Sequence, residues 1–99
     1  SSDLLSANFD FVADYCREHI PQIKTCAPDA TYLMWLDCRA LGLDNDALRR
    51  FMIEQAGLGL NDGCSFGRSL NGYMRLNAAC PRSVLERAMK QLEAAVKAL

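Results

Sequence analysis

In the stretch GYMRLNAA, residues 72–79, polar and apolar side chains alternate. Tyr73, Arg75 and Asn77 fall on one face of an extended chain, and Met74, Leu76 and Ala78 on the other. A strand with one apolar face needs a layer to cover it, and the chain supplies a candidate at once. Beyond Pro81, residues Val84, Leu85, Ala88, Met89, Leu92, Ala95, Val96 and Leu99 form a helical stripe. Glu86 with Lys90 and Glu93 with Lys97, each four residues apart, support it. Either Pro81 is the first helical residue, or Ser83 and Glu86 form a capping box across the first turn. A strand that feeds directly into an amphipathic helix restricts the chain to folds in which helices lie on a sheet.

The remaining segments fit such a fold. Leu4, Leu5, Phe11, Val12, Tyr15 and Cys16 recur at helical spacing up to His19, where Pro21 ends the pattern. PQIKTCAPDA, residues 21–30, carries two prolines and is expected to be irregular. TYLMWLDC, residues 31–38, has almost no polar position and is expected to be a central strand covered on both sides, with Tyr32, Trp35 and Tyr73 as core aromatics in preference to the lining of a pocket. Asp44 can cap a second helix with the face Leu48, Phe51, Met52 and Ala56, and Gly57 can end it in a left-handed turn. GLGLNDGCSFG, residues 57–67, holds four glycines, too many for a regular element, and points to a short strand and an ordered loop. The expected fold class is α+β, a small, mainly antiparallel sheet packed with helices. At 99 residues and 51% apolar composition the chain can fill one core but not two, so residues 1–99 are expected to form one domain.

Charge and cysteine content exclude several functions. Net charge is −1, with 11 basic and 12 acidic residues mixed along the chain, so neither nucleic acid nor an anionic membrane surface is an expected partner. No apolar run approaches the roughly 20 residues of a membrane-spanning helix, and no signal-peptide pattern opens the sequence. A cytoplasmic protein is expected, and the start SSDLL, without methionine, points to a piece of something longer. Cys16, Cys26, Cys38, Cys64 and Cys80 form an odd set with no C-x-x-C pair and one histidine, His19. That suits neither a disulfide framework nor zinc, so reduced, packing thiols are expected and no metal site.

Arg75 is the residue that the pattern itself selects. An arginine in mid-strand costs stability unless its planar fork is paired. Pattern alone favours an internal ion pair with Asp37 or Asp62 over a ligand. In NDGCSFG the amides could cradle an anion, but no lysine or helix follows as in a phosphate-binding loop. Ser65 has no base near it in sequence, which argues against a nucleophilic triad. Asp44 and Asp46 sit where capping and the helix dipole explain them.

Taken in order, ATYLMWLDCRALGL, RRFMIEQAGLGLNDGCSFG and GYMRLNAACPRSVLERAMKQL resemble the C-terminal small domain of the class I/II aminotransferase superfamily of pyridoxal-phosphate (PLP) enzymes, in its cystathionine β-lyase branch. The resemblance runs from about Asn8 to Leu92. It implies a chain that is the tail of a longer, homodimeric enzyme whose large domain holds pyridoxal 5′-phosphate, the cofactor lysine and the phosphate-binding residues. Lys24, Lys90 and Lys97 match no such motif, so no catalytic or cofactor-binding residue is expected here and the chain alone should be inactive.

The same resemblance assigns Arg75 the role of clamp on the α-carboxylate of an amino-acid substrate, reversing the preference for an ion pair. Asn77 would orient Arg75, and Ser65, Phe66 and Gly67 would line the site. The parent reaction would be β-elimination of cystathionine or cysteine-type substrates to pyruvate, ammonia and a thiol, or transamination. A departure is Cys64, where family members commonly have a small residue. A free-standing, non-catalytic binding domain of the same fold is the competing reading. Cut from its large domain, the chain is expected to expose apolar surface, especially on the first helix, and to self-associate.

Overall fold

A computed structural model of the chain describes residues 2–26, 33–57, 64–67 and 70–99. Helix α1 (Ser2–His19) buries Asn8, Val12, Cys16 and, just past its end, Ile20, one residue per turn along a single stripe. Strand β1 (Lys24–Thr25) follows within the segment expected to be irregular. Two residues between the prolines at 21 and 28 keep their amides free, which is enough for a short pairing. Strand β2 (Leu33–Asp37) leads through a 3₁₀ turn, Arg39–Leu41, to helix α2 (Asn45–Arg50), whose first turn is capped by Asp44 Oδ1 accepting the Ala47 N–H at 2.7 Å. The helix widens into a π turn over Phe51–Gln55, closed by the Ala56 N–H on the Phe51 carbonyl, and Gly57 leaves it at φ +67°. Strands β3 (Ser65–Phe66) and β4 (Tyr73–Asn77) and helix α3 (Arg82–Lys97) complete the chain.

The sheet order is β1-β2-β4-β3, antiparallel throughout, so the expected α+β class holds. In the central ladder Leu33 pairs with Asn77, Trp35 with Arg75 and Asp37 with Tyr73, all half-buried. Met34, Leu36, Met74 and Leu76 point the other way and are buried with Val12 and Cys16 of α1 and Leu85, Met89 and Leu92 of α3. Each fully buried side chain of this size contributes about 1.5–3 kcal/mol, so the core lies between this face and the helices. The expectation that β2 is covered on both sides is therefore corrected, and Trp35 and Tyr73 stand on the open face rather than in the core. An unbroken apolar run does not reveal which alternate positions face inward. Tyr32 lies outside the described residues.

Local devices hold β4 in place at its two ends. Asn71 and Gly72 both have positive φ, and Leu70 and Tyr73 exchange two backbone hydrogen bonds of 2.9 Å, forming the tight Asn-Gly turn that starts the strand. At Gly72, φ +86°, a Cβ would come within 2.7 Å of Arg39 Cγ, so the turn also needs glycine for space. At the far end Asn8, 2% exposed, donates from Nδ2 to the carbonyls of Ala78 and Cys80, both at 2.9 Å, and accepts from Arg82 Nε at 3.0 Å. Arg82 also reaches the Ala7 carbonyl and lies over the Phe11 ring. Helix α3 starts by neither expected route: Pro81 stands just before the first helical residue, and its carbonyl accepts from Val84 and Leu85 with no side-chain cap.

Cys64 and Cys80 are joined in a disulfide, with Cα atoms 5.1 Å apart, which corrects the expectation of five reduced thiols. Antiparallel pairing of β3 with β4 brings the start of one beside the end of the other, a juxtaposition invisible in a spacing of 16 residues. Cys16 and Cys38 are buried thiols as expected, and burial pushes both up to about 12. No helix among the described residues is long and apolar enough to cross a membrane.

Two expected outcomes follow from these contacts. Replacing Asn8 with Ala strands the buried Cys80 carbonyl and takes one hydrogen bond each from the Ala78 carbonyl and Arg82 Nε, and urea unfolding should show a loss of roughly 2–4 kcal/mol. At the end of β2, Asp37 accepts from Arg39 Nε, Nη2 and backbone N–H at 2.9, 2.9 and 3.1 Å, and these hydrogen bonds hold its carboxyl down at about 2. A depressed carboxylate contributes stability above its ordinary pKa and loses it as pH falls through the folded value. The stability difference between the native chain and Asp37→Asn should thus be constant above about pH 4 and close between about pH 4 and 2; a gap unchanged across that window would show that Asp37 is not ionised against Arg39.

Candidate functional site

Arg75 sits at the middle of β4, opposite Trp35 on β2, and its side chain leaves the sheet on the open face. Extending the β3–β4 register by one residue puts Gly67 on its other side, where the Gly67 N–H donates to the Arg75 carbonyl at 2.6 Å. The contact is close above the backbone as well. A Cβ built on Gly67 would lie 3.1 Å from both Nε and Nη2 of Arg75, so the guanidinium occupies the space that a side chain at 67 would take.

Among the described residues no hydrogen bond or ion pair satisfies this guanidinium. Asp37, an expected internal partner, is held bidentately by Arg39, whose guanidinium also lies 5.1 Å from the centre of the Tyr73 ring. The attraction between the Arg39 fork and the Asp37 carboxylate also raises the Arg39 pKa, so this pair is closed. Asp62, the other expected partner, lies outside the described residues. Among the described residues the open face thus carries two arginines of different standing, Arg39 held by Asp37 and Arg75 without a partner.

The other residues expected to line the site divide between the two faces. Ser65 pairs with Asn77 and shares the face of Arg75, exposed. Phe66 pairs with Leu76 and packs against the core, on the opposite side of the sheet. Asn77 is on the Arg75 face, but its Oδ1 accepts the Ala79 N–H at 2.9 Å, a turn that ends the strand. No group of histidine, cysteine and acidic residues among the described residues could hold a metal. His19 stacks on Tyr15 and approaches Glu18 at 3.9 Å on α1, so it is engaged away from Ser65.

Sequence reasoning found Arg75 by its misfit in the alternation but not the features around it. Trp35 as its cross-strand neighbour depends on register, and the closure of Asp37 by Arg39 was hidden in a two-residue spacing. The Asn71-Gly72 pair, a hairpin signal readable in the sequence, could have fixed where β4 begins. The lysines do not build a cofactor site around Arg75. Lys97 pairs with Glu93 at 2.7 Å and Lys90 is exposed, both on the helix that covers the other face, while Lys24 is exposed on the edge strand two strands away.

The chain has recognisable relatives. No protein-family model matches it. Protein MalY of Escherichia coli K12 is 38% identical over 95 residues, which are 96% of this chain and 24% of that protein. Cystathionine beta-lyase PatB of Bacillus subtilis 168 is 32% identical over 92 residues, 93% of this chain and 24% of its own. In three dimensions the chain is similar to cystalysin from Treponema denticola, a structure containing a pyridoxal 5′-phosphate cofactor, with TM-score 0.82 and 30% identity over 97% of this chain and 24% of that one. The chain spans about a quarter of the length of the relatives it matches. By sequence and fold together, the chain is similar to PLP-dependent enzymes of the aminotransferase superfamily, cystathionine β-lyases among them, over a segment consistent with their C-terminal small domain.

Proposed function

We propose that this chain is the substrate-carboxylate-binding small domain of a longer PLP-dependent enzyme, a carbon–sulfur β-lyase or an aminotransferase acting on amino acids. The observation that carries this reading is the half-buried Arg75 guanidinium, seated over Gly67 with no partner among the described residues. An arginine so placed forfeits hydrogen bonds that a carboxylate would restore two at a time. The similarity to cystathionine β-lyases supports an amino acid as the source of that carboxylate.

The lysines of this chain do not fit the cofactor, so the residues that hold it belong to the remainder of the enzyme. Bound there, PLP would supply the electron sink for breaking a bond at the substrate Cα. This chain contributes binding and orientation. Two parallel hydrogen bonds from Arg75 fix the plane of the carboxylate and hence the direction of the Cα substituents. Gly67 keeps the guanidinium from being pushed off β3, and Trp35 beside it offers an apolar wall. Ser65 and Asn77 flank the carboxylate on the same face, whereas Phe66 acts from behind by seating β3 on the core. Elimination of a thiol from cystathionine or a cysteine-type substrate, giving pyruvate and ammonia, and transamination use this clamp alike. The parent enzyme is a cytoplasmic homodimer in this reading, and the isolated chain self-associates and is inactive.

In the intact enzyme, Arg75→Ala should lower kcat/KM for the amino acid by roughly 10²–10⁴-fold, the loss of two charge-assisted hydrogen bonds, while the absorbance of the bound cofactor stays unchanged. Undiminished turnover would sink the proposal. Gly67→Ala puts a methyl group 3.1 Å from the guanidinium and should raise KM well above that of the native enzyme with the fold preserved by circular dichroism. An unaltered KM would mean that the guanidinium works from another position.

A further inference from the structure

Strand β3 is the weakest wall of the site. Among the described residues it is an edge strand of two residues, bonded on one side only, with Ser65 and Phe66 in the ladder and Gly67 adding one backbone hydrogen bond to Arg75. A ladder so short opens easily. The disulfide joins the residue immediately before β3 to Cys80, and Cys80 is itself well anchored. Its carbonyl accepts from buried Asn8, its N–H bonds to the Ala78 carbonyl at 2.9 Å, and Arg82 two residues on is held by Asn8 and Ala7. The bond therefore ties a weak strand to a rigid turn.

We propose that the Cys64–Cys80 disulfide is a redox-governed tether that holds the β3 wall, and with it Gly67, against Arg75. The three other cysteines take no part, since Cys16 and Cys38 are buried packers and Cys26 is unpaired. Cutting the tether needs a dithiol reductant. Its thiolate attacks the sulfur of Cys80, the less deeply buried residue of the two at 8% exposure against 1%, and the Cys64 thiolate leaves and takes up a proton. The second thiol of the reductant then displaces Cys80 from the mixed disulfide. The reductant ends as a cyclic disulfide, and two electrons and two protons have passed to the protein. Once cut, β3 is held by its two-residue ladder and the packing of Phe66 on the core, and Gly67 beyond them is less closely held against the guanidinium. The effect on substrate binding, though not the tether itself, rests on the carboxylate reading of Arg75.

The test uses the intact enzyme, purified with free thiols blocked by iodoacetamide and compared with the same protein after dithiothreitol. Mass spectrometry of unreduced peptides should find residues 64 and 80 linked, and hydrogen exchange should show the Gly67 amide about tenfold or more faster after reduction, with α3 amides unchanged. Reoxidation should restore the slow rate, which needs no variant and so does not depend on Cys80→Ser folding. KM for the amino acid should rise severalfold on reduction with kcat less affected. Gly67 exchange that is equal in both redox states, or both sulfurs alkylated in the starting protein and not linked by mild oxidation, would overturn the tether. Faster exchange with unchanged KM would uphold the tether and count instead against Arg75 as the carboxylate clamp.

Discussion

Everything on the open face is set by the register between β2 and β4. Side chains in a strand alternate, so a slip of one residue turns one strand over, burying Arg75 and exposing Met74 and Leu76 if it is β4, or burying Trp35 and Asp37 and exposing Met34 and Leu36 if it is β2. Exposing two apolar side chains while burying a charge costs far more than any single hydrogen bond in the sheet returns. The ladder is thus locked by its core face, and the position of Arg75 follows from residues that never touch a ligand. Helices α1 and α3 enforce the same choice from behind, because they offer an apolar surface to only one side of the sheet.

On that face the two arginines show how a sequence separates a structural charge from an available one. Arg39 finds Asp37 two residues back, and a partner that close needs little ordering to be held. Both groups remain partly in water, so the pair adds little stability of its own, as exposed ion pairs usually do. It matters more as a subtraction. With its carboxylate committed, Asp37 no longer competes for Arg75, although it lies on the same strand face as Trp35, the cross-strand neighbour of that arginine. Partial solvation lets Arg75 go without a partner among the described residues at a cost the core can bear, whereas full burial would not.

How much of this could be read from the sequence depended on whether the signal was local. The alternation in 72–79, the helical stripe beyond Pro81 and the Asp44 cap are near-neighbour patterns, and the structure has them as read. Strand β1 was missed because two residues have no periodicity, and β2 was misread because apolar residues on both faces conceal which one is open. Asn8 looks ordinary in a helix, and its role depends on carbonyls some seventy residues away. The Cys64–Cys80 bond was missed for a similar reason, since it needs the β3–β4 pairing before the two sulfurs meet. Within the candidate site, Arg75 announced itself by chemistry out of place in the pattern. Phe66 could be assigned to its proper face only by register.

The anchoring of β4 at both ends connects these observations to the site. The Asn71-Gly72 turn fixes where the strand begins and the Asn8–Arg82 cluster fixes where it ends, so Arg75 in between has little freedom along the strand axis. A bidentate clamp gains from such rigidity, because two parallel hydrogen bonds are lost together if the fork turns by a few tens of degrees. Across the strand the restraint is unequal. Trp35 belongs to a five-residue ladder, while Gly67 follows a two-residue one. Whatever adjusts the grip of Arg75 on a ligand would therefore act through β3, the wall held by the shorter ladder.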